Sequence, residues 1–386
     1  MADSAEQTPA APAAPEEKPK SEDKPRPEIL LDWFDVDTEW GIHAPRGPAG
    51  YRVGDLMVGS YGELPDVWTD DTMRPRGAAP MPGTPRMAYE VSAKIDMWTD
   101  NAPALYEEAI QRRWKPATDI DWDSIPAGPT ELDRARAQML TILAEQAWVQ
   151  SVTYGGWLKR LSYGYYEVKI FLATVVFSLA RHTEAFRKRA MLHGGGVGLQ
   201  GPGHLNRELI GTRDFNEMIL FNALLADSFT EVLLGRLAAD ASTPAEARLY
   251  TLARQDRVRA LAFGQERLRE LMAACPERLP EFHEYLGRVE AAMALDLNDT
   301  VGNEALAIVL GGDVEAMGTG AERLADLRRA QARAYLQRLR AAGIDREEHQ
   351  SGKFQVATGQ ITEEERRTRR KSREGTNPAG ENARDA

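Results

Sequence analysis

The chain is poor in the residue types that carry most nucleophilic and redox chemistry. Among 386 residues there is one cysteine, Cys275, which excludes an internal disulfide and fits a reducing compartment. Cys275 precedes Pro276 near a helix end, a setting that suits a small buried thiol better than a nucleophile. Histidines number six, and His43, His283 and His349 stand alone in surface or hydrogen-bonding contexts. The longest apolar run, Ile170 to Ala180, stops at Arg181 and is too short to cross a bilayer. No basic start followed by an apolar core opens the chain, so a secretory leader is not read there. A Gly-x-Ser-x-Gly elbow is missing. The glycine-rich stretch HGGGVGLQGPGH (193–204) lacks the Gly-Lys-Ser/Thr ending of a phosphate loop and reads as a helix cap and connector. A net charge of −11 disfavours nucleic acid as a general partner. These absences together predict a soluble, cytoplasmic protein with no membrane partner.

What is present is helical grammar. Residues 1–28 are Ala, Pro, Glu and Lys with almost no large apolar side chains, and are expected to be disordered. Residues 29–99 read as an irregular arm, Gly- and Pro-rich, pinned by Trp33, Phe34, Trp40, Trp68 and Trp98. All eight tryptophans fall between Trp33 and Trp157, which predicts one aromatic-rich interface shared by the arm and the first long helices. From Asp100 onward the apolar spacing is that of helices. Asn101 and Pro103 open one that runs to about Trp114. A second begins at Thr130 and reaches about Tyr163, interrupted near Gly155 and Gly156. Others cover about 165–192 and 214–240. Thr243 and Glu246 form a capping box for the next, which ends near Ala274. Further helices are expected at 278–296 and 321–342. Residues 100–300 are read as the bundle, 301–345 as accessory helices and 346–386 as a charged C-terminal tail. In that tail Thr362 and Glu365 cap a basic stretch that includes Arg366 and Arg367, expected to be solvated. The predicted fold is an all-α helix bundle with an aromatic-rich arm and extra C-terminal helices.

Four stretches carry a family resemblance. They are LYEEAIQRRWKPATDIDW (105–122), FLATVVFSLARHTEAFRKRAMLHGGGVGL (171–199), ADSFTEVLL (226–234) and LARQDRVRALAFGQERLRE (252–270). They resemble the ferritin-like di-iron carboxylate superfamily, with its AurF-type, multicomponent-hydroxylase-like and ribonucleotide-reductase-small-subunit-like members. In such bundles two helices each give one Glu and two others each give Glu-x-x-His. By resemblance, Glu145 and His182 match ligand positions. Leu179 and Ala226 stand where two carboxylates are expected, and Arg257 and Ala260 replace the second Glu-x-x-His. Two of six ligands remain, which implies a degenerate metal site. Arg257 is expected to occupy the place of iron and to pair with Glu145, alone or in a network that includes His182. Asp227 and Asp256, each adjacent to a lost position, are candidate rescue ligands but are expected to point elsewhere unless the helix distorts, because neighbouring residues are rotated by about 100° on a helix. Glu184 and Glu231 lie within a turn of the lost positions and are read as solvated charges.

The resemblance therefore implies a non-catalytic homologue without a cofactor, a structural or regulatory subunit of an oxygenase-type complex. It would form a homo-oligomer or pair with a paralogous subunit. Two alternatives stay open. One is a metal-dependent oxidoreductase, an oxygenase holding iron or manganese through Glu145 and His182. The other is a bundle whose core binds an apolar ligand.

Overall fold

The computed structural model describes residues 31–375, with side chains through 371. The segment 1–28, expected to be disordered, and the last eleven residues of the tail (376–386) lie outside the described residues. Residues up to Thr38 form a unit of their own, of which the described part, 31–38, contains one 3-10 turn, Asp32–Asp35. In that turn Trp33 and Phe34 sit with ring centroids 4.0 Å apart.

The second unit, Glu39–Ala386, holds the helices. They are α1 (Ala102–Gln111), α2 (Thr130–Leu158), α3 (Tyr166–Gly194), α4 (His204–Ile210) and α5 (Phe215–Ala239). After these come α6 (Pro244–Ala274), α7 (Leu279–Leu297), α8 (Thr300–Gly311) and α9 (Met317–Ala341). Two short helices, α10 (Gly352–Ala357) and α11 (Glu363–Gly375), close the described chain. No strand occurs among the described residues, only isolated bridges such as Val67 with Ala93. The protein is an all-α helix bundle.

Its centre is made by α2, α3, α5 and α6. The first two pack antiparallel along most of their length: Ser151 Oγ lies 3.4 Å from the Val176 carbonyl and Thr183 Oγ1 3.4 Å from that of Ala144. α5 lies along α6, and α6 also meets α3, so the four helices enclose two apolar clusters along their length. α8 and α9 form an outer pair, α8 against α2 and α9 against α5. Gly320 makes that pair possible. A Cβ there would strike the Ala307 carbonyl, so only a bare backbone lets the two helices cross so closely. Among the described residues α5 alone is long and apolar enough to cross a membrane, and it is mostly buried inside the bundle.

Several local expectations need correction. α2 runs unbroken through Gly155 and Gly156, because Tyr154 and Trp157 are buried on either side and packing outweighs the loss of about 1 kcal/mol per glycine. α1 stops at Gln111, short of Trp114. Asn101 does not cap it; its side-chain amide donates to the Ala262 carbonyl of α6 instead (3.1 Å). α4 and α8 were not foreseen, being short and, for α8, apolar nearly throughout. The tryptophans do not share one interface. Trp98 and Trp157 belong to one core cluster, Trp114 to another, and Trp148 is 56% exposed.

Residues 39–99 are irregular apart from short helical turns such as Lys94–Met97, and guanidinium groups as well as aromatic rings hold them. Arg76, 2% exposed, forms a two-pronged ion pair with the buried Glu167 of α3 and donates to the Gly164 carbonyl at 2.7 Å. The Trp68 ring lies flush against Gly164, where any Cβ would collide with it. Arg267 of α6 donates to the Trp98 carbonyl (3.3 Å) from its buried position.

Candidate functional site

At the middle of the bundle sits a buried ionic layer. α3 contributes Arg181 and His182, consecutive residues that are both buried. α6 contributes Asp256, Arg257 and Arg259, which are 5%, 2% and 4% exposed. These three are buried because α3 and α5 enclose that part of α6 and the connector carrying Trp114 covers it, while Val258 between them faces outward at 46% exposed.

Two carboxylates organise this layer. Asp256 receives four donors. On one oxygen these are Trp114 Nε1 at 2.9 Å, Arg181 Nη2 at 3.0 Å and His182 Nε2 at 3.0 Å; Arg259 takes the other. Burial alone would push Asp256 up, but the His182 hydrogen bond and the Arg181 and Arg259 charges hold its carboxyl below the usual range. Asp227 of α5 accepts Arg257 Nη1 at 2.5 Å and Gln150 Nε2 at 3.0 Å on one oxygen, while Arg257 also bonds Gln150 Oε1. Burial raises the Asp227 carboxyl, and Arg257 and Gln150 offset this only in part.

His182 lies between the Trp114 ring (6.3 Å, stacked) and Phe186 (5.9 Å). Burial pulls it down to about 4, against the raising hydrogen bond to Asp256, and the Arg257 charge adds to the lowering. The imidazole is therefore neutral near pH 7. It donates Nε2–H to Asp256 and leaves Nδ1 without a protein partner among the described residues.

The sequence-derived candidates separate into two places. Leu179, His182, Arg257 and Ala260 line one small cavity of about 10 Å³, together with Asp227 and Asp256. Ala226 is fully buried in α5. Glu145 is elsewhere. It lines a cleft of about 140 Å³ that shares no lining residue with the first cavity, and it accepts the Gly201 amide at 3.1 Å. The expected Arg257–Glu145 pair is thus not formed. Arg257 is buried, but its carboxylate is Asp227.

Asp227 and Asp256 also depart from expectation, since both point inward. For Asp227 the reason is backbone. Residues Leu220–Ala226 are π-helical, and the Asp227 amide bonds the Asn222 carbonyl five residues back. The wider turn holds one more residue than an α-helical turn, so Asp227 faces Arg257. Glu184 pairs with Lys188 on the surface (2.5 Å). Glu231, read as a solvated charge, is instead buried at 5% exposed and takes Arg254 (2.6 Å) and Arg338 (2.7 Å). Sequence reasoning missed Gln150 altogether. The one available signal was its position on the α2 face that also carries the buried Ala147, Ser151 and Tyr154.

The donor set decides what this layer can hold. Two divalent ions need several free carboxylates; here three guanidinium groups, Arg181, Arg257 and Arg259, face two carboxylates already committed to them. One imidazole nitrogen is left over, and the cavity takes at most one water. Iron or manganese does not fit this arrangement. Among the described residues no group of three or more His, Cys, Asp or Glu is placed to hold a metal ion.

No protein-family model matches the sequence, and no curated protein matches it significantly. Two solved structures are similar at 16% identity. One is a variant of an R2-like ligand-binding oxidase with an aerobically reconstituted Mn/Fe cofactor, with a TM-score of 0.40 over 70% of this chain and 96% of that one. Another is an R2-like ligand-binding oxidase without metal cofactor, with a TM-score of 0.35 over 67% and 96%. At that identity neither likeness speaks to this chain's own chemistry.

Proposed function

We propose that this chain is a non-catalytic, ferritin-like helix bundle in which a buried ion-pair layer stands where a di-iron centre sits in the families its sequence resembles. It serves as a structural or regulatory subunit of an oxygenase-type complex, assembled with a second copy or a paralogue. The observation that carries this reading is Arg257, held on Asp227 and Gln150 between α2, α5 and α6. A guanidinium cannot lose its proton in a protein, so its charge excludes a cation from the space it fills. A subunit role is supported by large apolar side chains left exposed on the two longest-paired helices, Trp148 of α2 at 56% and Phe177 of α3 at 58%.

Metal content tests the reading. Protein expressed in metal-replete medium is expected to carry less than about a tenth of an equivalent of iron, manganese or zinc by mass spectrometry. One or two equivalents, lost on His182→Ala, would overturn it.

One observation favours an oxygenase as the second reading. His182 presents a bare Nδ1 while Nε2–H is held by a carboxylate, the disposition of an imidazole that ligates a metal. It ranks second because Glu145, its proposed companion, lines the other cavity.

A further inference from the structure

The cleft of about 140 Å³ lies between α2, α4, α5, α7, α8, α9 and the turn before α4. Its walls are mainly apolar, from Met139, Leu143, Leu233, Met293 and Leu306. An engineered apolar cavity of about 150 Å³ admits a benzene-sized body, so the volume suits a ligand of that scale. Into this setting α9 projects Arg328. Its guanidinium donates to Gln331 Oε1 (3.1 Å) and Asn303 Oδ1 (3.4 Å), both neutral side chains. Among the described residues no carboxylate lies within ion-pair distance of it. The side chain is half-buried, and its desolvation in the cleft, with no carboxylate to offset it, pulls Arg328 down to about 10.

Three carboxylates do line the cleft, and each already has donors. Glu145 accepts the Gly201 amide (3.1 Å) and Gln200 Nε2 (3.3 Å). Asp296 accepts the His204 and Leu205 amides at 3.0 and 2.8 Å, and Asp299 caps the Gly302 amide at 2.6 Å. The unmet group in the cleft is a cation. Guanidinium has five N–H donors in a planar fork, and two are used here by weak neutral acceptors. The geometry suited to the rest is a carboxylate, which can take two parallel hydrogen bonds.

We infer that this cleft is a binding site for a small monocarboxylate with a compact apolar body. Its carboxylate would pair with Arg328 beside Asn303 and Gln331, and its body would fill the space among Met139, Leu143, Leu233, Met293 and Leu306. This inference does not rest on the proposed subunit role, because the cleft and the ionic layer share no lining residue.

The test uses the full chain with benzoate as the probe and benzyl alcohol, its uncharged analogue, as the control, followed by calorimetry and thermal shift. Benzoate is expected to bind with a Kd at or below about 1 mM and to raise the Tm, whereas benzyl alcohol binds about tenfold more weakly or worse. Arg328→Gln is expected to weaken benzoate to the level of the alcohol. Leu306→Trp, which fills the apolar end, is expected to abolish binding of both. Equal binding of benzoate and benzyl alcohol to the unaltered chain would overturn the proposal without any variant having to fold. So would undetectable benzoate binding at millimolar concentration, or unchanged benzoate affinity in Arg328→Gln.

Discussion

Two arginines of this bundle make opposite bargains with their surroundings. Arg257 has a carboxylate at 2.5 Å and a cavity of about 10 Å³ beside it; Arg328 has only amide oxygens and a cleft of about 140 Å³. The first is closed in charge and in space. The second is open in both. What distinguishes structural from receptive charge here is not residue type, and Arg257 is buried where Arg328 is half-buried. The deciding difference is whether the counter-charge comes from the protein, since a buried ion stays ionised only with a partner. Arg257 therefore belongs to the fold, and Arg328 is available to something outside it.

The sharpest way to break this comparison is to remove each charge in turn. Arg257→Met leaves Asp227 buried without its cation and is expected to cost about 3–5 kcal/mol in urea denaturation. Adding Asp227→Leu is expected to recover most of that loss, because it removes the stranded carboxylate as well. A double variant no more stable than the single one would show that the pair contributes something other than mutual neutralisation.

Next in size is the dependence on pH. His182 has a folded-state value of about 4 against 6.5 in the unfolded chain. Between those values the unfolded state binds a proton that the native state refuses, so stability falls as pH drops from 6.5 toward 4 and levels off below. The full shift corresponds to a loss on the order of 3 kcal/mol. His283, lowered by burial and then by His349 and Arg346, adds to the slope in the same direction. Denaturation midpoints across this range are expected to fall less steeply for His182→Gln than for the unaltered chain. Identical slopes would mean that His182 is not held neutral by the layer.

The smallest effect is expected at Arg328. Arg328→Met removes a charge without a counter-ion and places an apolar chain among apolar walls. The urea midpoint is expected to stay within about 1 kcal/mol of the parent or to rise. A loss as large as that of Arg257→Met would erase the distinction between the two sites.

The helices were legible in the sequence because their signals are local. Apolar residues recur every three or four positions along α3, and Thr243 does accept the Glu246 amide at 3.2 Å at the start of α6. The ionic layer was only half legible. Burial of Arg257 follows from its place on a ligand-like helix, but the identity of its partner depends on how α5 winds. Counting at 100° per residue turned Asp227 away from the core and gave the inward position to Ala226 alone. Asp256 was misplaced for a different reason. A charged residue beside an apolar stripe usually marks its solvated edge, and nothing local reveals that α6 is covered on that side too, by Arg181 and Trp114. Glu145 matched a motif in sequence and faces a separate cleft in space. The arm's aromatic residues were conspicuous, whereas Arg76 and Arg267 were not, because an arginine that will be buried looks like any other.

The π-helical turn at Leu220–Ala226 reaches beyond the carboxylate it places. A turn of that width is what one inserted residue leaves in a helix whose two ends are already fixed by neighbours. α5 is so fixed: Asp214 caps its start, and Gln331 of α9 holds the Phe229 carbonyl at 2.8 Å. Any residue-by-residue alignment of α5 with an unbroken helix then needs a gap of one position inside 220–226. Without that gap, every residue downstream is compared with the wrong counterpart.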